Sequence, residues 1–266
     1  MVPEFYPVWH STVVIAVLRI KLFFNMENVK IATQNQIIEV ARKQGRALLT
    51  EIESKIILKD RGINIVETRL AKTRDEAISL SKQIGFPVVL KIASQDITHK
   101  SDVGGVKAGL NNEGEAGAAY DSIMVSVREK NPEAVIQGVS VQSMARPGVE
   151  VIVGMSKDPQ FGPVAMLGLG GLLVEVLKDV SFRLIPLTEK DARDMIKEIK
   201  GYSLLKGYRG QQPCDIKSLE SLLFQVSKFV EDNPDIKEMD LNPVIVYESG
   251  TTVVDARIVL ENEVLN

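Results

Sequence analysis

The chain has 266 residues, 45% hydrophobic and 25% charged, which is the balance of a folded globular protein and enough length for one large unit or two sub-domains. A net charge of −3 and only 5% aromatic residues argue against nucleic-acid binding, which needs a basic surface and stacking platforms. The single cysteine, Cys214, excludes an internal disulfide and any multi-cysteine metal cluster, and it fits a reducing cytoplasm.

Residues 1–25 differ from the rest. The apolar run Val13–Phe24 is interrupted by Arg19 and Lys21. As a helix it reaches roughly 18 Å, short of the ~30 Å hydrocarbon core, so no membrane span is expected. The segment is read as an extension, either disordered or upstream of a true start at Met26. Leu49, Ile52, Ile56 and Ile57 then recur at helical spacing, with Glu51, Glu53, Lys55 and Lys59 on the opposite side, predicting an amphipathic helix over 46–61 ended by Gly62. A strand is expected from Ile63 to Leu70. Thr73 begins the next helix in a capping box with Glu76, and Gly85 stops it. Strands Val88–Ile92 and Val106–Leu110 follow as partners. Then comes a helix over Glu113–Arg128, with Ala116, Tyr120, Ile123 and Val127 facing inward.

Further along, strands are expected at Ala134–Met144, Val149–Met155, Val164–Leu169 and Leu172–Val176, the first two separated by Arg146-Pro147-Gly148. Helices are expected from Thr188 to Ile199 and from Ile216 to Val230, then strands Glu238–Tyr247 and Thr251–Val259 joined at Ser249-Gly250. The order predicts an α+β fold in two halves. The first covers about 62–135, with the 46–61 helix beside it, and the second about 140–262. The seam lies near 133–148.

Several positions carry chemistry. Lys91 ends an apolar strand, and a buried ammonium needs an anionic partner, either a nucleotide phosphate or a carboxylate of the same fold. His99 lies in the polar loop that follows and is the one histidine besides His10, so a histidine metal site is disfavoured. It reads either as a surface loop residue or as a phosphate-accepting nucleophile with Asp102 orienting its ring. Gly104 and Gly105 either bring backbone amides to phosphate oxygens or form a simple turn. Gln142 and Met144 lie where two sub-domains join, a place for an adenine base. Glu150, after the Pro-Gly break, either accepts from a ribose hydroxyl or is a solvated strand end. In the terminal hairpin, alternation puts Asp240 and Asn242 on one face. A two-residue turn at Ser249-Gly250 would set Asn242 opposite Arg257 and Asp255 opposite Val244 on that face. Three oxygen-bearing side chains there suit Mg²⁺ shared with phosphates, or form a polar exposed face. Gly168-Leu-Gly170-Gly171 precedes a predicted strand rather than a helix, and no Gly-x4-Gly-Lys-Ser/Thr loop occurs, so any nucleotide is held by another architecture.

Taken together, Val-Leu-Lys91-Ile, Thr-His99-Lys-Ser-Asp-Val-Gly-Gly-Val, Pro-Gly-Val-Glu150, Gly-Leu-Gly-Gly-Leu-Leu-Val-Glu175-Val-Leu-Lys-Asp179-Val-Ser-Phe-Arg183, Asp240-Leu-Asn242-Pro and Val-Asp255-Ala-Arg carry a family resemblance. From about Ile37 to Leu260 the chain resembles the β subunit, the ATP-grasp part, of ADP-forming acyl-CoA synthetases of the acetate–CoA ligase type. It is more distantly similar to the β subunit of succinyl-CoA synthetase. The resemblance implies an ATP-grasp fold whose sub-domains clamp ATP or ADP. It implies Lys91 on the phosphates, Glu150 on the ribose, and Mg²⁺ on Asn242 and Asp255 with Asp240 beside them. His99 would take phosphate relayed from acyl phosphate by a histidine of a CoA-binding α subunit, and pass it to ADP. An α2β2 assembly is expected. The rival readings are a stand-alone ATP-grasp ligase joining a carboxylate to an amine, and a silent nucleotide-sensing module. Asp179 is read as structural, and Glu175 and Arg183 are left without a role.

Overall fold

The strand alternation resolves into two antiparallel sheets in a computed structural model that describes residues 34–261 apart from Thr98, residues 172–178 and Gln211. The expected N-terminal extension (1–25), the expected strand Leu172–Val176 and Glu175 therefore lie outside the described residues.

The first sheet contains β1 (Thr68–Ala71), β2 (Val88–Ser94), β3 (Val106–Leu110) and β4 (Ile136–Ser143), in the order β1-β4-β2-β3. Two helices, α3 (Arg74–Ile84) and α4 (Glu113–Lys130), cover one face. Val88, Leu90 and Ile92 of β2 and Val139 and Val141 of β4 pack under them with Ala77, Tyr120, Ile123 and Val127. The period of two then sends Lys91, Ser140 and Gln142 to the opposite face, and all three are buried there. Lys91 is thus placed by strand alternation, in register with Ser140 on one side and Val106 on the other.

The second sheet contains β5 (Val149–Asp158), β6 (Gly162–Leu169), β7 (Val180–Leu184), β8 (Ile236–Val246) and β10 (Ala256–Leu260), ordered β10-β8-β5-β6-β7. A short β9 (Thr251–Val253) also pairs with β8. Its core is shared with α5 (Glu189–Glu198) and α7 (Ile216–Asp232), through Met195, Ile196, Leu223, Val226 and Phe229. A single turn of helix, α6 (Tyr202–Leu205), follows α5. The buried carboxylate of Asp179 accepts the N–H groups of Lys200 (2.6 Å) and Gly201 (2.8 Å) beside that turn, which makes it structural as expected. Arg183 pairs with Glu198.

Two helices precede the sheets, α1 (Gln34–Lys43) and α2 (Glu51–Asp60). Leu49 N–H donates to the Ile258 carbonyl and Leu260 N–H to the Ala47 carbonyl, stitching the stretch between them to β10. A capping box starts α2: Thr50 Oγ1 accepts the N–H of Glu53, and the Glu53 carboxylate accepts the N–H of Thr50. The helix begins at Glu51 rather than 46, because the preceding residues pair with the sheet edge instead.

Other expectations need correction. Ile63–Glu67 is not strand, since Asn64–Val66 follows β9, with Val66 N–H donating to the Val253 carbonyl. Thr73 does cap α3, but the Glu76 carboxylate takes the N–H of Lys72 rather than that of Thr73, so the box is half formed. The terminal strand is broken at Val254–Asp255, and the hairpin register differs by two residues. Thr251 pairs with Val246, not Glu248, because Tyr247–Gly250 closes as a four-residue loop with Tyr247 N–H on the Gly250 carbonyl. The two-residue shift keeps every side chain on its expected face. Arg257 stands opposite Asp240, and Asn242 N–H donates to the Asp255 carbonyl. Among the described residues no helix is long and apolar enough to cross a membrane.

Candidate functional site

A cavity of about 1140 Å³ is walled by both sheets and by the N-terminus of α2. From the first sheet come Lys91 and the loop bearing His99, and from the terminal hairpin come Asp240, Asn242, Asp255 and Arg257. The sequence-predicted cation, imidazole and oxygen donors, remote in sequence, therefore share one wall-to-wall space.

The centre of this space is an ion network that sequence reading missed. Glu51, the first residue of α2, has only 8% of its side chain exposed. Its carboxylate accepts from Lys55 (2.8 Å), Lys91 (3.2 Å) and Lys100 (2.5 Å). Lys91 also donates to Asp255 at 2.9 Å, and Lys55 to Thr68 Oγ1 and Gln142 Oε1, each at 2.9 Å. Glu51 and Lys55 were expected on the solvent side of an amphipathic helix. They are buried instead because the first sheet closes over that side, through Thr68, Lys91 and Gln142. The i,i+4 spacing of Glu51 and Lys55 was the available signal, together with the capping motif that puts Glu51 in the positive first turn.

The network sets protonation. Burial alone would raise the Glu51 pKa, but Lys91, Lys55 and Lys100 overcome it and hold the carboxyl far below the usual carboxylate range. Burial pulls Lys91 down, yet Glu51 and Asp255 more than compensate, so its pKa is raised and the ammonium persists. Lys55 is the exception, since burial outweighs the attraction of Glu51 and its pKa is lowered. Burial also pushes the Asp240 carboxyl up, against the pull of Arg257 and with the push of Asp255.

The ring of His99 is exposed at the cavity, with no hydrogen-bond partner among the described residues; in particular, none joins it to Asp102. The orienting role expected of Asp102 is therefore not seen in this conformation. Its backbone carbonyl instead accepts from Lys130. Gly104 and Gly105 do not line the cavity, and both have packing reasons to be glycine. At Gly104, φ is +71° and a Cβ would lie 2.5 Å from Ser126 Oγ. At Gly105 a Cβ would lie 2.6 Å from Ile92 Cγ2 and 2.8 Å from the Lys100 carbonyl. Gln142, Met144 and Glu150 also stand outside the cavity lining. Gln142 is buried on Lys55. The Met144 N–H donates to Pro87, and Glu150 is exposed at the start of β5. These three do flank the 144–148 connection between the sheets.

Among the described residues no three His, Cys, Asp or Glu side chains form a metal cluster. What the hairpin offers is two carboxylates and a carboxamide on one cavity wall, one carboxylate already occupied by Lys91 and the other raised in pKa chiefly by burial. Such a donor set suits Mg²⁺, which commonly takes one or two carboxylates and completes its shell with phosphate and water. The site thus combines fixed cations, hard oxygen donors and an uncommitted imidazole, which is the equipment for moving a phosphoryl group.

The family model described as "ATP-grasp domain" matches residues 40–260. The chain is 47% identical over 231 residues to the β subunit of ADP-forming acetate–CoA ligase I from Pyrococcus furiosus, covering 87% of this chain and 99% of the relative. It superposes with a TM-score of 0.84 and 49% identity on a dinucleotide-forming acetyl-coenzyme A synthetase 1 of Candidatus Korarchaeum cryptofilum, solved with coenzyme A, Ca-AMPCP and HgCl⁺. That match covers 86% of this chain and 100% of the other. A second structure of that synthetase holds coenzyme A and Mg-AMPPCP, with its phosphohistidine segment pointing towards the nucleotide binding site. It matches with a TM-score of 0.77 and 46% identity, over 86% of this chain and 100% of the other.

Proposed function

Because the chain belongs to the ATP-grasp family of ADP-forming acyl-CoA synthetase β subunits, we propose that it binds ADP or ATP in this cavity and passes phosphate through His99. The complete enzyme interconverts acyl-CoA, ADP and phosphate with free acid, CoA and ATP, acetate being the expected acid. A CoA-binding α subunit supplies the acyl chemistry, in a cytoplasmic α2β2 complex. The observation that carries the reading is the convergence of Lys91, His99, Asp240, Asn242 and Asp255 on one cavity.

In this reading Lys91 faces the nucleotide phosphates, exchanging part of its bonding to Asp255 for phosphate oxygens. Glu51 remains behind it and keeps it in place. Asn242 and Asp255 would hold Mg²⁺, with Asp240 beside them, and the ion would supply positive charge against the phosphates. His99 receives phosphate on a ring nitrogen from a phosphorylated histidine of the α subunit, whose P–N bond breaks as the new one forms. Transfer to ADP then breaks the P–N bond and forms a P–O bond to the terminal oxygen of ADP, and the nitrogen regains its lone pair. Lys91 supplies fixed positive charge where negative charge passes, and requires little reorganisation. Gln142 and Met144 border the adenine at the connection between the halves, and Glu150 meets the ribose. The two sheets act as two sub-domains closing on the nucleotide. Gly104 and Gly105 shape the return of the His99 loop into β3.

The test is ATP formation from acetyl-CoA, ADP and phosphate by this chain reconstituted with its α subunit. Wild type makes ATP only with the α subunit present, and His99→Ala makes none while retaining Mg-ADP binding. ATP-dependent joining of an acid to an amine by the chain alone would replace this reading with that of a stand-alone ligase.

A further inference from the structure

The Glu51 network has a feature that nucleotide binding by itself does not require. Its carboxylate links two parts of the proposed chemistry. One lysine, Lys91, stands on the rigid centre of β2 between β3 and β4. Another, Lys100, adjoins His99 in the loop after β2. Both reach the same buried carboxylate, at 3.2 Å and 2.5 Å. Glu51 itself is fixed three ways: by the capping box at its helix start, by Lys55 one turn on, and by the backbone bonds tying the chain before α2 to β10. The favourable field of a helix N-terminus adds to its hold on negative charge. Of the three lysines, Lys100 is the most exposed, with 20% of its side chain open against 4% for Lys55 and 9% for Lys91. It is therefore the link of the three most open to solvent.

We infer that Glu51 is a positioning residue for phosphoryl transfer: it anchors Lys91 at the cavity and, through Lys100, ties the His99 loop to the nucleotide side. The inference rests on the His99 relay proposed above. Among the described residues the His99 imidazole has no hydrogen-bond partner, and the side-chain tether on the residue next to it is the Lys100–Glu51 pair. A geometric error of an ångström in a transfer reaction lowers the rate by orders of magnitude while leaving binding nearly intact.

The experiment uses the enzyme assembled with its α subunit and measures, by rapid quench in a single turnover, the rate at which Mg-ATP phosphorylates His99. Glu51→Gln, Lys100→Met, the double variant and Lys100→Arg are compared with wild type, with Mg-ADP affinity and thermal midpoint recorded for each. Glu51→Gln and Lys100→Met should each slow phosphorylation at least about tenfold. The double variant should be no more than about twofold slower than the worse single one, because both remove the same tie. Lys100→Met should bind Mg-ADP within about threefold of wild type, and Lys100→Arg should restore most of the rate. If Lys100 acts on the phosphate by itself, the two losses multiply and the inference is overturned; a wild-type rate for Lys100→Met overturns it equally. Should Glu51→Gln fail to fold, the Lys100 pair decides: a slow Met with a fast Arg supports the tie, and two equal rates refute it. If wild type takes no phosphate on His99, it is the relay that fails, a result distinct from a failure of the tie.

Discussion

Replacing Lys91 by Met separates the two parts its ammonium plays. The side chain is almost wholly buried and bonded to Glu51 and Asp255. Removing one partner of a buried ion pair ordinarily costs about 3–5 kcal/mol, because the other charge is stranded. Here Glu51 keeps Lys55 and Lys100, and Asp255, with 31% of its side chain exposed, can turn to water. The stability loss should therefore fall to about 1–3 kcal/mol, nearer that of a single charge-assisted hydrogen bond. Nucleotide binding loses a direct charge-assisted contact worth about 1.5–3 kcal/mol, or roughly 10- to 150-fold in Mg-ADP affinity. Calorimetric titration with Mg-ADP and urea unfolding of the same preparation give both numbers. An affinity within twofold of wild type would show that Lys91 serves only the ion network, and the phosphate assignment would be wrong.

Burial raises the Asp240 pKa in the folded chain, so its ionised form opposes folding as pH rises through the ordinary carboxylate range. Asp240→Asn should accordingly be the more stable protein at pH 7 without nucleotide or Mg²⁺, the advantage vanishing at acid pH; urea unfolding across pH 3 to 8 tests it. Glu51 has the opposite sign. Its stabilising contribution is whole above the ordinary carboxylate value of 4.5 and declines only as pH falls below it, so the gap between wild type and Glu51→Gln should narrow in acid. Gly105→Ala should lower stability by about 1–3 kcal/mol through its clash with Ile92 and the Lys100 carbonyl. Lost Mg-ADP affinity at unchanged stability would instead favour backbone contact with phosphate. Thr188→Ala removes the capping box of α5, far from the cavity, and should cost about 1 kcal/mol, a fall of roughly 2–4 °C in Tm, with turnover unchanged.

Legibility in the sequence followed the range of the interactions involved. Helices opened by Thr73 and Thr188 were locatable from their caps, and that over Glu113–Arg128 from its apolar spacing, because both signals are local. Asp240 and Asn242 were placed on one face even though the hairpin register was off by two, since the strand period is two. Strand β7 escaped notice because its apolar Phe182 and Leu184 face outward at the sheet edge, where the inward-apolar pattern reverses. The Glu51 network was illegible for a different reason. An amphipathic helix reads as having one buried side, and only the arrival of β1, β2 and β4 from elsewhere in the sequence buries the other. Lys91 was correctly read as needing an anion, but the choice between phosphate and carboxylate was left open, and the nucleotide-free chain supplies carboxylates.

The central claim is that His99 carries phosphate between the α subunit and ADP. The enzyme assembled with its α subunit would be incubated with Mg-ATP, digested under alkaline conditions and mapped by mass spectrometry. The account predicts an acid-labile phosphate on the peptide bearing His99, discharged when ADP is added. A peptide left unmodified during active turnover, or full ATP synthesis by His99→Ala, would contradict it.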